Sequence, residues 1–368
     1  MLEARADHVG SLLRPAELLA ARAEYAAGRL GAAGLKAAED AAVREVVALQ
    51  ERAGCPVVTD GELRRESFQS ELTAAVDGFE GVGIETWLWG EWHSDELGDK
   101  TVARPQQTAV VRPLERRRGL AAEEFTFLRA VTARVAKVTL PSPSLFANLW
   151  SPERSREAYP SFDDFMADVV AILQHEAREL ARLGCPYVQI DAPQYPLLVD
   201  PDWRAFYEAR GWSAQSWIAY GVELDNAVID SAPELTFGFH LCRGNQDSRW
   251  LVAGGYEDIA APIFGGVHAD RLLLEYDDQR SGGFDPLRLV PEDKLVVLGL
   301  ITTKTSRLEA GAELERRIHQ AADLVGLDRL ALGTQCGFST SIVGNDLDIE
   351  AERGKLELMV QTAGHVWG

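Results

Sequence analysis

The chain has 368 residues, of which 46% are hydrophobic and 26% charged, a balance typical of soluble globular proteins. Its formal net charge of −20 argues against nucleic acid as a partner, because nucleic-acid binders usually carry a basic face. No apolar run approaches the length of a membrane span, and the N-terminal stretch is too charged for a secretory signal. We therefore expect a cytoplasmic protein that acts on small molecules, with no membrane association; these features leave its oligomeric state open.

Short apolar runs rich in β-branched residues alternate with helical patterns along the chain, as in βα units built around a parallel sheet. The clearest helical periodicity covers residues 33–52 and 162–183. Eight βα units favour a closed (β/α)8 TIM barrel over an open sheet, and we expect residues 1–368 to form one α/β domain. The predicted strands are 7–11, 56–60, 136–141, 187–191, 235–242, 271–276, 295–302 and 330–336.

Residues 77–113 form a long interval between predicted barrel elements and hold Trp87, Trp89 and Trp92 among polar residues. We predict a hairpin-like insertion after the second strand that covers one end of the barrel. The three tryptophans then form a lid over a pocket, or else a hairpin cluster or a dimer contact.

Polar side chains concentrate where the predicted strands end, which is the end of a (β/α)8 barrel that carries the active site. His240 and Cys242 are two residues apart on one strand and therefore point to the same side. Glu275 lies near the end of the next strand, and Cys336 ends the last one. Two sulfurs, one nitrogen and one carboxylate oxygen suit tetrahedral zinc, so these residues are candidate ligands of one zinc ion per chain. The alternative is that Cys336 is a packed core thiol.

Motifs along nearly the whole chain resemble the cobalamin-independent methionine synthase family, especially its shorter, single-barrel members. The His-x-Cys, Glu and Cys-Gly elements form a specific signature of that family. The motifs are DHVGSLLRP (7–15), VTDGELRR (58–65), YVQID (187–191), HLCRGN (240–245), LLLEYDDQRSG (272–282), VVLGLITTKT (296–305) and QCGFST (335–340).

The resemblance implies a zinc-dependent methyltransferase of methionine biosynthesis. In that family, zinc binds the thiol of homocysteine as a thiolate, which attacks a methyl group on 5-methyltetrahydrofolate; a methylcobalamin protein is the other donor we consider. The implied zinc ligands are His240, Cys242, Glu275 and Cys336. The positions implied to hold the amino-acid backbone of homocysteine are Ser11, Glu62 and Asp191.

The donor half of the site departs from the family pattern. Two-domain members carry a His-Ser pair after strand seven, where this chain has Thr302, Thr303 and Lys304. Lys304 is a replacement acid, an anion clamp or a solvated loop lysine, and we favour the last interpretation. Many members also have Glu where this chain has Ala192.

Three further residues are candidates for catalysis or donor binding. His8 lies in the predicted first strand, Arg243 could clamp a carboxylate or sulfonate, and Trp150 could stack on a pterin. The alternatives without a role in catalysis or binding are a solvated loop arginine for Arg243 and a packed core residue for Trp150.

Three alternative functions stay open. One is a zinc-dependent thiol alkyltransferase or C–S bond enzyme with another thiol, such as an epoxyalkane–coenzyme M transferase. The others are a methyl-carrier binding module with structural zinc and a decarboxylase resembling the uroporphyrinogen enzymes.

Overall fold

The structure, a computed structural model, describes residues 2–83 and 87–368. Within these ranges, the strands are β1 (Val57–Val58), β2 (Val76–Glu80), β3 (Gly90–Trp92), β4 (Lys100–Val102), β5 (Ala109–Arg116), β6 (Val135–Pro141), β7 (Tyr187–Asp191), β8 (Thr236–Leu241), β9 (Arg271–Glu275), β10 (Leu295–Ile301) and β11 (Leu330–Thr334). The helices are α1 (Ala16–Ala26), α2 (Ala32–Arg52), α3 (Ser70–Ala75), α4 (Ala122–Val131), α5 (Pro152–Ser155), α6 (Phe162–Arg182), α7 (Pro201–Glu208), α8 (Ala214–Ile229), α9 (Ala260–Phe264), α10 (Gly311–Val325) and α11 (Ile349–Trp367).

Seven strands form one curled parallel sheet in the order β1-β6-β7-β8-β9-β10-β11, consistent with a TIM-like barrel. Every residue of β7, β9, β10 and β11 is buried. Parallel strands that are covered on both faces consist of continuous apolar residues, so these segments could be identified as strands from the sequence. The seven strands coincide with predicted strands two to eight.

The predicted first strand at 7–11 is wrong as a regular strand. Ala6 forms a single bridge with Leu332 of β11, and the Thr59 hydroxyl donates to the Gly10 carbonyl at 2.5 Å. Gly10 has φ +140°, a conformation that L side chains rarely adopt, and its backbone leaves the regular strand path there. Residues 7–11 therefore form an extended segment that lies in space between β11 and β1.

The two predicted long helices are confirmed within one residue at each end, as α2 and α6. The start of α6 is fixed by a capping box, in which Ser161 and Asp164 satisfy each other's backbone N–H groups.

The interval 77–113 contains two small antiparallel ribbons, one of β3 and β4 and one in which β2 pairs with β5. Residues 84–86 of this interval lie outside the described residues. The three tryptophans have different neighbours: Trp87 packs against Phe146, Trp89 packs against Trp203, and Trp92 is buried and lines a pocket.

No helix within residues 2–83 and 87–368 is both long enough and apolar enough to cross a membrane.

A buried carboxyl group ties the last helix to the N-terminal segment. Glu352 of α11 is fully buried, and one of its oxygens accepts the Leu13 N–H at 2.8 Å. Its other oxygen, Oε1, has no hydrogen-bond partner among the described residues. Burial without a compensating cation raises the pKa of Glu352 from 4.5 to about 8.

This raised pKa predicts a pH-dependent stability. The folded protein binds the Glu352 proton more tightly than the unfolded chain does, so the free energy of unfolding falls as pH rises from 4.5 to about 8. Glu352→Gln removes this dependence, and the variant should gain about 4 kcal/mol over wild type at about pH 9 relative to about pH 5. Urea unfolding at both values measures it.

Glu350→Gln is the matched control, because Glu350 lies on the same helix but is exposed and pairs with Arg353. An equal difference between Glu352→Gln and wild type at both pH values would contradict the assignment.

Candidate metal centre and active-site pocket

Three ligand-type side chains converge at the carboxyl end of the parallel sheet. His240 lies near the end of β8, Cys242 follows that strand, and Cys336 follows β11. One ligand atom from each lies within 4.8 Å of the other two, and all three residues are buried. Side-chain alternation explains why His240 and Cys242 point the same way.

The imidazole of His240 is oriented by the neighbouring strand. Its Nδ1 lies 3.3 Å from the Leu273 carbonyl oxygen of β9, which can only accept a hydrogen bond. Its Nε2 is buried and has no hydrogen-bond partner among the described residues. A proton on Nδ1 leaves the Nε2 lone pair free, which is the arrangement of a metal-ligating histidine.

The two cysteine side chains shift each other's pKa in opposite directions. The Cys336 thiol donates to Cys242 and lowers the pKa of Cys242 to about 5; burial opposes this shift and His240 assists it. The same hydrogen bond, together with burial, raises the pKa of Cys336. A thiolate, a second thiol and a free imidazole nitrogen form a donor set that fits zinc.

Glu275, the fourth predicted ligand, ends β9 and is fully buried. Its carboxylate lies outside the group of three and is bound by cations and a backbone N–H. Oε2 accepts the Arg243 N–H at 2.6 Å, and Oε1 accepts from Arg280 at 2.6 Å and lies 3.5 Å from Lys304 Nζ. Burial raises the pKa of Glu275, but Arg280, Lys304 and Arg243 lower it to about 2, so the carboxylate is ionised.

The three clustered residues include His240 and Cys242 at the end of β8 and Cys336 after β11, and all three line the wall of one pocket. The predicted substrate residues Ser11, Glu62 and Asp191 line the same pocket. Sequence positions up to 325 residues apart therefore meet in one cavity, as the strand-end argument predicts.

Glu62 has a backbone conformation that is uncommon for a residue with a side chain, with φ +56°. Its N–H donates to the Asp60 carboxylate at 2.9 Å, and its Oε1 accepts from the Thr139 hydroxyl at 2.5 Å. Its Oε2 is buried without a hydrogen-bond partner among the described residues. One carboxylate oxygen is therefore fixed and the other is available to a ligand.

Asp191 ends β7, and its Oδ1 accepts a hydrogen bond from the Gln189 amide at 2.7 Å. Burial raises its pKa to about 7. Ser11 lies directly against Gly337, where a Cβ atom would come within 1.8 Å of the Ser11 hydroxyl oxygen. Only glycine leaves room for Ser11 beside Cys336.

The structure does not bring His8 or Arg243 into the pocket as free functional groups. His8 Nε2 bonds to Gln50 of α2 at 2.9 Å, and burial lowers the pKa of His8 to about 4. Arg243 is buried rather than solvated, and its guanidinium donates to the carbonyls of Glu275, Gly254 and Ser281.

The interpretation of Lys304 as a solvated loop lysine is wrong. Lys304 is buried, and its ammonium pairs with Asp277 at 3.0 Å and with Glu275 at 3.5 Å. The hydroxyl of Thr303 contacts Gln335 Oε1 at 3.0 Å and the Gly337 carbonyl at 2.9 Å, both of which only accept.

Trp150 lies on a second pocket, of about 940 Å³, that also contains Trp89, Arg104 and Arg210. Its indole N–H lies 3.3 Å from the Tyr159 carbonyl oxygen, so the ring is anchored at its edge.

Three residues that shape the pocket beside His240, Cys242 and Cys336 were not among the predicted site residues. Arg280 pairs with Glu275, Asn245 lines the pocket and donates to Thr303, and Gln189 holds Asp191. The contact of Gln189 with Asp191 could have been predicted, because residues two apart on a strand face the same side of the sheet. The contact of Arg280 could not, because its partner becomes a neighbour only through the turn after β9.

The catalytic-domain model of the cobalamin-independent synthases matches residues 5–365. The uncharacterized protein YxjH of Bacillus subtilis is 35% identical, over 99% of this chain and 94% of its own. The methionine synthase of Pyrococcus abyssi is 26% identical, over 82% of this chain and 76% of its own.

Two solved structures show the same fold. A putative vitamin-B12-independent methionine synthase from Listeria monocytogenes has a TM-score of 0.76 at 27% identity, covering 99% of this chain and 98% of its own. A B12-independent methionine synthase from Shewanella sp. W3-18-1, in complex with selenomethionine, has a TM-score of 0.72 at 21% identity, covering 100% and 98%. With the family model spanning nearly every residue, the chain belongs to the cobalamin-independent methionine synthase family through its catalytic domain.

Proposed function

We propose that this protein transfers a methyl group to the sulfur of homocysteine, with zinc as its resident metal. The observation that carries the proposal is the buried cluster of His240, Cys242 and Cys336, which opens into a pocket lined by Glu62 and Asp191. Thiol-binding chemistry and groups able to recognise an amino acid thus share one cavity. The family supports the transferase class.

His240, Cys242 and Cys336 would hold the metal, with Glu275 as the fourth ligand. Zinc, when bound, lowers the pKa of a substrate thiol so that it is a thiolate near neutral pH. The unpartnered Nε2 of His240 and the ionised carboxylate of Glu275 support this ligand set, because an imidazole nitrogen and a carboxylate oxygen are both ligands of zinc.

Recognition of the amino acid would fall to the three other residues of the pocket. Glu62 and Asp191 each have one carboxylate oxygen held by a hydrogen bond from the protein, and that oxygen of Glu62 also lies 3.6 Å from Arg65. The other oxygen of each carboxylate would accept from the α-ammonium group. Ser11, packed on Gly337, would donate to the α-carboxylate. The selenomethionine complex of the Shewanella relative is in line with an amino-acid pocket in this family.

The methyl donor would be 5-methyltetrahydrofolate or a methylcobalamin protein. Thr303 has its hydroxyl hydrogen committed to protein acceptors, and Lys304 is ion-paired. Thr303 and Lys304 therefore do not replace the His-Ser pair of the two-domain members as a free proton donor. Another group would have to deliver the proton to the leaving nitrogen of the methyl donor. Trp150 would present its ring to a flat donor from the second pocket.

The alternative substrate pair, coenzyme M and an epoxide, is less well supported. It requires a cationic clamp for a sulfonate, and the candidate for that role was Arg243. The guanidinium of Arg243 is bound to three backbone carbonyls.

We further propose that residues 1–368 act as one catalytic domain. In this reading the extended segment at 7–11 fills the gap between β11 and β1 and completes an eight-part barrel.

Cys336→Ser tests the metal site. Loss of one thiolate should lower zinc affinity about 100-fold or more and abolish methyl transfer, because a serine hydroxyl is a far poorer zinc ligand than a thiolate. Zinc content after dialysis and homocysteine methylation are the two measurements.

Cys185→Ser is the matched control, since Cys185 is also a buried free thiol but lies before β7. It should retain zinc and activity. Full activity of a zinc-free Cys336→Ser protein would refute the proposed mechanism.

Glu62→Gln tests the amino-acid site separately. Removing the charge that faces the α-ammonium should raise KM for homocysteine about 10-fold or more, because hydrogen bonds between charged groups are the strong ones. The zinc content should not change. An unaltered KM would exclude Glu62 from substrate binding.

A further inference from the structure

A chain of buried polar side chains runs through the interior of the sheet to the carboxylate of Asp191. Gln189 Nε2 lies 2.7 Å from Asp191 Oδ1, and Gln189 Oε1 lies 2.9 Å from Lys137 Nζ. Lys137 in turn lies 2.7 Å from the carboxylate of Asp7. None of the four side chains is more than 5% exposed. These four hydrogen-bonded side chains thus connect the N-terminal segment to the pocket through the interior of the protein.

Chemistry alone fixes the direction of every hydrogen bond in this chain. The ammonium of Lys137 can only donate, so the Gln189 atom facing it must be the carbonyl oxygen. The Gln189 amide nitrogen must then face Asp191, whose carboxylate accepts. The orientation of the Gln189 amide, which is often ambiguous in proteins, is therefore determined by its two partners.

Lys137 is itself held in one position. Its ammonium group donates three hydrogen bonds, to the Asp7 carboxylate, to the His8 carbonyl and to Gln189 Oε1. The other oxygen of Asp7 accepts from the Tyr187 hydroxyl at 2.9 Å and lies 3.3 Å from Arg271 Nε. The Asp7 carboxylate thus lies between two buried cations, and displacing Lys137 would leave buried charges without partners, which holds Lys137 in place.

The strands place these residues in register. Lys137 of β6 is opposite Tyr187 of β7, and Asp191 of β7 is opposite His240 of β8. Gln189 lies between them on β7 and faces the same side as Asp191. The amide therefore connects the ion cluster to the carboxylate next to the candidate metal centre.

We infer that Gln189, held by Lys137, is a positioning residue that keeps Asp191 as a fixed acceptor and so makes the pocket select thiols that carry an α-ammonium group. An α-ammonium group only donates, so it needs acceptors at set positions. Asp191 supplies one, and the unpartnered Oε2 of Glu62 supplies another. This inference rests on the proposed function, because it concerns how homocysteine is chosen.

The test compares two thiols that differ only in the amino group, L-homocysteine and 4-sulfanylbutanoate. Their dissociation constants are measured calorimetrically on the zinc-loaded full chain. Wild type should prefer homocysteine, and Gln189→Met should lower that preference about 10-fold, since methionine fills the space but offers no N–H to Asp191. Affinity for 4-sulfanylbutanoate should stay unchanged, which general damage to the fold would not allow.

Two further variants make the result decisive. Gln189→Leu, which also has no N–H for Asp191, should lose the preference too and serves if Gln189→Met does not fold. Gln194→Met is the matched control, because Gln194 is also a buried glutamine, bonded to Ser142 and Ser144 instead. It should keep the wild-type preference.

The outcomes separate the two claims. If wild type prefers homocysteine and a folded Gln189 variant keeps that preference, the positioning role is overturned while the proposed function stands. If wild type binds both thiols equally, the inferred selection by the α-ammonium group fails while the proposed function stands. If wild type binds neither thiol, the proposed function fails and the inference fails with it.

Discussion

The pocket depends on the curvature that brings the ends of β8 and β11 together. Two strands, β9 and β10, lie between them in the sheet, so in a flat sheet their ends would be roughly 14 Å apart. In the curled sheet, ligand atoms of His240, Cys242 and Cys336 lie within 4.8 Å of one another. No single segment of the sequence forms this cluster, and it exists only when the sheet is complete. That dependence is typical of a site built for chemistry rather than for local stability.

Glu275 controls the charge around this cluster. It is ionised and fully buried, and it is balanced by Arg280 and Lys304 together with a backbone N–H from Arg243. A buried carboxylate without such partners would be strongly unfavourable. The same cations would offset the negative charge of two thiolates around a divalent metal, so the group links the stability of the site to its proposed chemistry.

The positions of seven strands could be predicted because buried parallel strands appear in the sequence as apolar runs. The meeting of His240, Cys242 and Cys336 could be predicted because these residues lie at the ends of such runs. The irregular path of the first segment could not be predicted, because the φ of +140° at Gly10 is not visible in the local sequence. Lys304 was misread for another reason: its partners Asp277 and Glu275 belong to a different strand end and are invisible in the local sequence. Contacts that depend on which loops meet require the structure.

The most direct test of the central claim is X-ray absorption at the zinc edge of the purified protein, with and without homocysteine. The account predicts two sulfur ligands, from Cys242 and Cys336, in the free protein and a third sulfur once homocysteine is added. An unchanged spectrum of bound zinc at saturating homocysteine would contradict the account, because the substrate thiol would then not reach the metal.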